Sequence, residues 1–138
     1  MTTVLLDVAN VVGARPDGWW RDRAGAAVRL LTPLAALVGT TVPGPDGAPL
    51  QLTGLVAVLE GRARDVEVPA PVRVVRAPAS GDDALAQVAA ELAAAGEDLL
   101  VVTADRGLRA RLPDGVAVTG PRWLLGIAGD AAENLPDR

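Results

Sequence analysis

Aliphatic and polar positions alternate along this chain in two distinct rhythms. Short, unbroken aliphatic runs read as strands buried on both faces: Thr3-Val4-Leu5-Leu6-Asp7, Leu55-Val56-Ala57-Val58-Leu59, Val72-Arg73-Val74-Val75, the stretch from Asp98 to Thr103, and Val116-Ala117-Val118. Between them the apolar residues recur at helical spacing. Ala24, Ala27, Val28 and Leu31 share one face of a helix expected from about Gly18 to Leu31 and capped by Asp17. Thr32-Pro33 reads as a new N-cap and first-turn pair, giving a kink or a second short helix to Val38. Ala84, Leu85, Val88, Ala89 and Leu92 form the clearest stripe, opened by Ser80 and closed by Gly96. Residues 106–112 suggest a short basic helix, and Pro121 starts a short terminal one carrying Trp123. Residues 8–17, 39–54 and 61–71 read as loops, the middle one a surface flap rich in Gly, Pro and Thr. The last residues are polar and are expected to fray. Strands alternating with helices predict a three-layer α/β/α domain, residues 1–138, on a mostly parallel sheet of about five strands.

The strand-like runs lead into acids. The first ends at Asp7, with Asn10 three residues on. The second ends at Glu60. The third leads across a loop to Asp82-Asp83, and the fourth to Asp105. A parallel sheet binds its ligands beyond the carboxyl ends of its strands, so these acids are expected to converge. Converging carboxylates repel one another unless a hard cation lies between them, and an oxygen-only donor set suits Mg²⁺ or Mn²⁺. Each acid also has an ordinary role open to it. Asp7 can close a loop, although a charge ending an aliphatic strand is costly unless paired or bound. Asn10 can form a turn, Ser80-Gly81-Asp82-Asp83 is a capping box, Asp105 can cap the Arg106 helix, and Glu60 can be a solvated strand end.

Composition narrows the chemistry. Among 138 residues there is no His, Lys, Cys, Tyr or Phe. This excludes Ser-His-Asp and Cys-His triads, zinc-thiolate sites, Schiff-base lysines and a P-loop. Carboxylates, Ser/Thr, Arg and metal ions are what is left. Half of the residues are hydrophobic, which rules out disorder, and no apolar run is long enough for a membrane span. With a strand-like start and no visible signal peptide, a cytoplasmic location is the expectation. The formal charge of −4 provides no overall basic field for nucleic acid, although all 13 basic residues are Arg, the better bidentate phosphate ligand. Arg15, Arg106 and Arg109 lie where the rim of a strand-end cleft is expected and are candidate phosphate clamps; solvated helix charges are the alternative. Of the three tryptophans, the adjacent pair Trp19-Trp20 cannot both face one way on a helix.

Val4-Leu5-Leu6-Asp7-Val8-Ala9-Asn10-Val11-Val12 resembles the D-x-x-N-V opening of NYN domains, which are PIN-like nucleases; the YacP-like bacterial group is the nearest in character. Gly81-Asp82-Asp83-Ala84-Leu85 matches the acid pair that opens a helix in that family, and Thr103-Ala104-Asp105 matches its strand followed by [ST]-x-D. The ordered set spans the chain. The resemblance implies metal-dependent hydrolysis of RNA phosphodiester bonds, with RNA as the partner. It implies Asp7, Asp83 and Asp105 as ligands of Mg²⁺ or Mn²⁺, Asp82 as a close second, and Asn10 orienting Asp7 or a water. The sequence departs from the pattern at Arg106-Gly107, where many relatives carry a further acid or Ser. The Arg-rich stretch from Arg15 to Arg23 matches no general family feature. Other readings stay open: hydrolysis of a nucleotide phosphoanhydride at the same acids, a non-catalytic RNA- or protein-binding module on the same fold, and a PIN-type toxin with an antitoxin partner.

Overall fold

The structure is a computed structural model that describes residues 1–133. The fraying expected of the last residues falls at 134–138, outside the described residues. Among the described residues, six strands and five α-helices follow one another as β1 (Thr2–Asp7), α1 (Val8–Gly13), α2 (Arg23–Ala35), β2 (Thr41–Pro43), β3 (Pro49–Leu59), β4 (Arg73–Arg76), α3 (Gly81–Ala94), β5 (Leu99–Val102), α4 (Arg106–Ala110), β6 (Ala117–Thr119) and α5 (Pro121–Glu133). The spatial order is β2-β3-β1-β5-β6, with β4 beside the C-terminal half of β3. All pairings are parallel except β2 with β3. This is the mostly parallel α/β/α arrangement expected from the sequence.

Period-two alternation along β1 feeds two cores. Val4 and Leu6 face α1, α2 and α5 in one cluster with Val11, Leu30, Leu31 and Leu124. Leu5 faces the other way, into a cluster with Leu85 and Val88 of α3 and Leu108 of α4. Burial on both faces explains why β1 reads as a continuous aliphatic run. The chain winds from β1 outward to β3 and β4, then returns through α3 to β5 and β6 on the far side of β1. The winding direction thus reverses between β1 and β5. A crevice opens at such a switch point, beyond the strand ends.

The structure differs from the sequence reading in several elements. The terminal helix α5, expected to be short, runs for 13 residues. Residues 8–13 form a helix rather than a loop, because Asp7 caps it and Val8, Val11 and Val12 bury on one side. The cap of α2 is Asp22, whose Oδ1 accepts from the Gly25 N–H at 2.9 Å, instead of Asp17; Gly18 at φ 76° first turns the chain through a single 3₁₀ turn, Trp19–Arg21. Helix α2 runs through Pro33 without a new cap at Thr32, whose hydroxyl donates to the Val28 carbonyl at 2.8 Å. The missing Pro33 N–H costs a helix bond, yet Leu30, Leu31 and Leu34 are fully buried on the same stripe and hold the helix together. Residues 39–54 are not a flap. They contain β2 and the first half of β3, an antiparallel pair joined at a turn with Gly47 at φ 84° and tied down by Trp123 Nε1, which donates to the Pro43 carbonyl at 2.9 Å.

Candidate active site

Asp7 is the hinge of the crevice. It is only 6% exposed, at the end of β1, and its Oδ1 accepts from the Asn10 N–H at 3.4 Å. The spacing of three between Asp and Asn is thus a helix-capping geometry. The Asn10 side chain looks across the crevice: its Oδ1 accepts from the Ala104 N–H at 2.9 Å, locking α1 to the segment after β5. Thr103, fully buried, donates from Oγ1 to Asp7 Oδ2 at 3.3 Å and accepts from the Asp105 N–H at 3.2 Å. Asp105 Oδ1 in turn accepts from the Leu108 N–H at 3.0 Å and caps α4. One chain of bonds therefore runs from α1 through β5 to α4 and fixes the angle at which both acids meet the crevice.

Two more acids complete the group. Ser80 caps α3, accepting from the Asp82 N–H at 3.2 Å, so that the half-buried Asp82 faces inward. Glu60 Oε2 accepts from the Gly81 N–H at 2.8 Å. The glycine at position 81 lets Glu60 lie close: a Cβ there would meet the Glu60 carboxylate at 2.8 Å. The electrostatics show that these acids sense one another. Burial, aided by the charges of Asp82 and Glu60, pushes the Asp7 carboxyl up to about 6, against the lowering effect of the Asn10 and Thr103 bonds. Asp82 is also raised, first by desolvation, then by Asp105 and Glu60; Arg111 opposes the shift.

Asp7, Asn10, Asp82 and Asp105 thus lie around one crevice, together with Glu60, for which the sequence favoured a solvated strand end. Asp83 does not join them. It is on the solvent side of α3, with its side chain 73% exposed, paired to Arg111 at 2.8 Å. Adjacent helix positions point about 100° apart, so only one of the Asp82-Asp83 pair can face the crevice. Among the described residues, no three acidic side chains stand close enough, as placed, to close on one ion. The tight triad expected from the sequence is replaced by an open ring of acids. Arg109 is held by the protein itself, its guanidinium donating to the Thr103 carbonyl at 3.2 Å. Arg106 is exposed on α4, and Arg15 is half-buried just after α1. The roles of Thr103 in aiming Asp7 and of Glu60 in spacing α3 escaped the sequence reading. The signal for Thr103 was a polar residue ending a wholly aliphatic strand.

No family model matches the chain, and no curated protein matches it in sequence. Among solved structures, the fold is similar to that of Rae1 (YacP) from Bacillus subtilis, crystallised as its W164L mutant. The TM-score is 0.65 at 18% identity, over 96% of this chain and 78% of that one. At this identity the likeness establishes the YacP-like fold. No helix among the described residues is long and apolar enough to cross a membrane.

Proposed function

We propose that the protein is a metal-dependent nuclease that hydrolyses RNA phosphodiester bonds in the crevice between β1 and β5. The observation that carries this reading is the delivery of Asp7, Glu60, Asp82 and Asp105 by four separate segments to one strand-end crevice, with the innermost acid buried and resisting ionisation. Such a group is costly for a fold to keep without a use for it. The donor set is entirely oxygen, which fits Mg²⁺ or Mn²⁺ and no softer metal. Asp7, Asp82 and Asp105 would hold the ion, with Glu60, whose charge acts on Asp7 and Asp82, as a further donor. Asp83 would stay outside as a partner of Arg111. The ion would supply charge neutralisation at the scissile phosphate and a lowered pKa for the attacking water. The chain's own share is positioning. Thr103 and the Asn10 N–H aim the two oxygens of Asp7, and Asn10 Oδ1 holds the Ala104 backbone that carries Asp105. Arg106 is free to meet a phosphate. Arg109 serves the crevice by bracing the Thr103 carbonyl. The similarity in fold to Rae1 (YacP) supports the nuclease reading over hydrolysis of a nucleotide phosphoanhydride, which the same acids would also permit.

A screen of RNA, single-stranded DNA and nucleoside triphosphates with Mn²⁺ or Mg²⁺ tests the proposal. Wild-type protein should cleave RNA, EDTA should abolish cleavage, and Asp7→Asn should lose activity by orders of magnitude. Cleavage that survives EDTA or Asp7→Asn rejects the site. Release of phosphate from triphosphates with RNA left intact favours the phosphoanhydride reading.

A further inference from the structure

The stretch from Trp19 to Arg23, which the family resemblance left unassigned, builds a surface directly beside the acids. Trp19 is partly exposed and lines a cavity of about 350 Å³ together with Val12, Arg23, Ala27, Glu60 and Ala79. That volume lies in the range of small-ligand sites. The Arg23 guanidinium lies over the Trp19 ring, 5.4 Å from its centroid, so this wall combines an aromatic surface with a cation. Glu60 belongs both to this cavity and to the acid group, since its charge acts on Asp7 and Asp82. Val8 and Ala9, which directly follow Asp7, line the cavity as well, so it lies beside the acids.

A second, polar cavity of about 540 Å³ adjoins the first at Arg23 and is lined by Trp20, Arg21, Asp22 and Arg62. Trp20 is 56% exposed and has Arg21 over its ring at 5.8 Å. Among the described residues, Arg21, Arg23 and Arg62 form no ion pair. Asp22, the one acid in this patch, is engaged as the α2 cap. The patch therefore stays cationic within a protein of net charge −4. Aromatic rings interleaved with unpaired guanidinium groups, running up to an acid-lined crevice, match what a single strand requires: flat surfaces for bases and cations for the phosphates between them.

The geometry points to a strand-binding track in which one unpaired RNA base enters the Trp19–Arg23 cavity while Arg21, Arg23 and Arg62 hold the adjoining phosphates. This inference rests on the nuclease reading of the neighbouring acids and adds to it the residues of this chain that grip the strand. A base held in a duplex is paired and stacked and is not available to the cavity, so duplex RNA should bind more weakly.

The test is binding of a 5′-fluorescein-labelled RNA decamer to protein carrying Asp7→Asn, in EDTA, read by anisotropy and by quenching of tryptophan emission. Ala79→Leu blocks the cavity from an exposed position, and Arg23→Gln removes the cation. Arg73→Gln, an exposed position on the edge strand β4 that lines neither cavity, controls for the loss of one charge. Melting curves confirm that each variant is folded. Ala79→Leu and Arg23→Gln should each weaken binding by about tenfold, Arg73→Gln by less than about twofold, and the matching duplex should bind at least about tenfold more weakly than the single strand. Wild-type affinity in the two cavity variants overturns the track. So does equal loss in Arg73→Gln, or no binding at all. Binding that behaves as expected, beside wild-type protein that cleaves nothing, leaves the track standing and rejects the nuclease. Cleavage by wild-type protein with affinity unchanged in Ala79→Leu and Arg23→Gln does the reverse.

Discussion

At the scale of single residues, Asp7 carries a conflict between stability and the proposed function. Its carboxyl titrates near 6 in the folded protein, against 3.8 for an ordinary Asp. A raised acid binds its proton more tightly in the folded state. Its contribution to stability is therefore full below pH 3.8 and is lost as pH rises through about 6. The shift corresponds to roughly 3 kcal/mol by pH 7. In EDTA, wild-type protein should thus lose stability between pH 4 and 7, and Asp7→Asn should flatten that slope. At pH 7 the variant should match or exceed wild type by up to about 2 kcal/mol, because the amide removes a buried charge while re-forming only part of the Thr103 bonding. Denaturant titrations at several pH values measure this. A variant destabilised at pH 7 by 1 kcal/mol or more would make Asp7 a structural cap instead. Thr103→Val is the complementary change. It deletes the donor to Asp7 and the acceptor for the Asp105 N–H while keeping the buried volume. It should cost about 1–3 kcal/mol and lower RNA cleavage as well, whereas cleavage at the wild-type rate would mean that Thr103 does not aim Asp7.

Among the elements, α3 shows how packing and site are coupled. Its stripe was legible because Leu85, Val88 and Ala89 repeat at helical spacing, and all three are buried against the sheet. Leu85→Ala should destabilise the protein by about 2–5 kcal/mol in chemical denaturation, since the side chain is fully buried. The N-terminus of the same helix was only half legible. The resemblance named Asp83 first and Asp82 as a close second, whereas in the structure Arg111 pairs with Asp83 on the solvent side of the helix. Gly81→Ala separates site from stability at this terminus. The added Cβ would push away the Glu60 carboxylate, the mobile end of a side chain, so stability should change by less than about 1 kcal/mol. Protection by Mn²⁺ in a thermal melt should nevertheless weaken, because Glu60 loses the Gly81 N–H that holds it. Full Mn²⁺ protection in this variant would remove Glu60 from the site. The antiparallel edge formed by β2 and the first half of β3 was the hardest part to read. The first half of β3 is mostly exposed and pairs with a three-residue β2, so it lacks the aliphatic run that marks β1.

For the whole molecule, the open ring of acids sets how metal should act. Binding must draw the carboxylates inward against their repulsion, so affinity should be modest and the stabilising effect large only when the ion is abundant. Millimolar Mn²⁺ or Mg²⁺ should raise the melting temperature near neutral pH, following the logarithm of ion concentration over its dissociation constant. The rise should vanish in Asp7→Asn. A melting temperature that stays fixed up to tens of millimolar ion would count against the site.

Local pattern determined the strands β1, β4, β5 and β6, the helix α3, the three-layer class and the strand-end position of the acids. Each of these follows from period-two or helical spacing of apolar residues, which is written in a few consecutive positions. The absence of His, Lys and Cys likewise fixed what the chemistry could not be. Tertiary structure decided the rest. Asp22 rather than Asp17 became a cap because Gly18 turns the chain first, and Pro33 stayed inside a helix because burial of its neighbours outweighs one lost bond. Glu60 entered the crevice only because β3 lies beside β1 and its side chain reaches the start of α3. Trp19 met Arg23 only through the turn between them. The place of Glu60 depends on a contact between segments far apart in sequence, and the other outcomes depend on how burial and turn geometry outweigh local preference, which the pattern of residue types alone does not set.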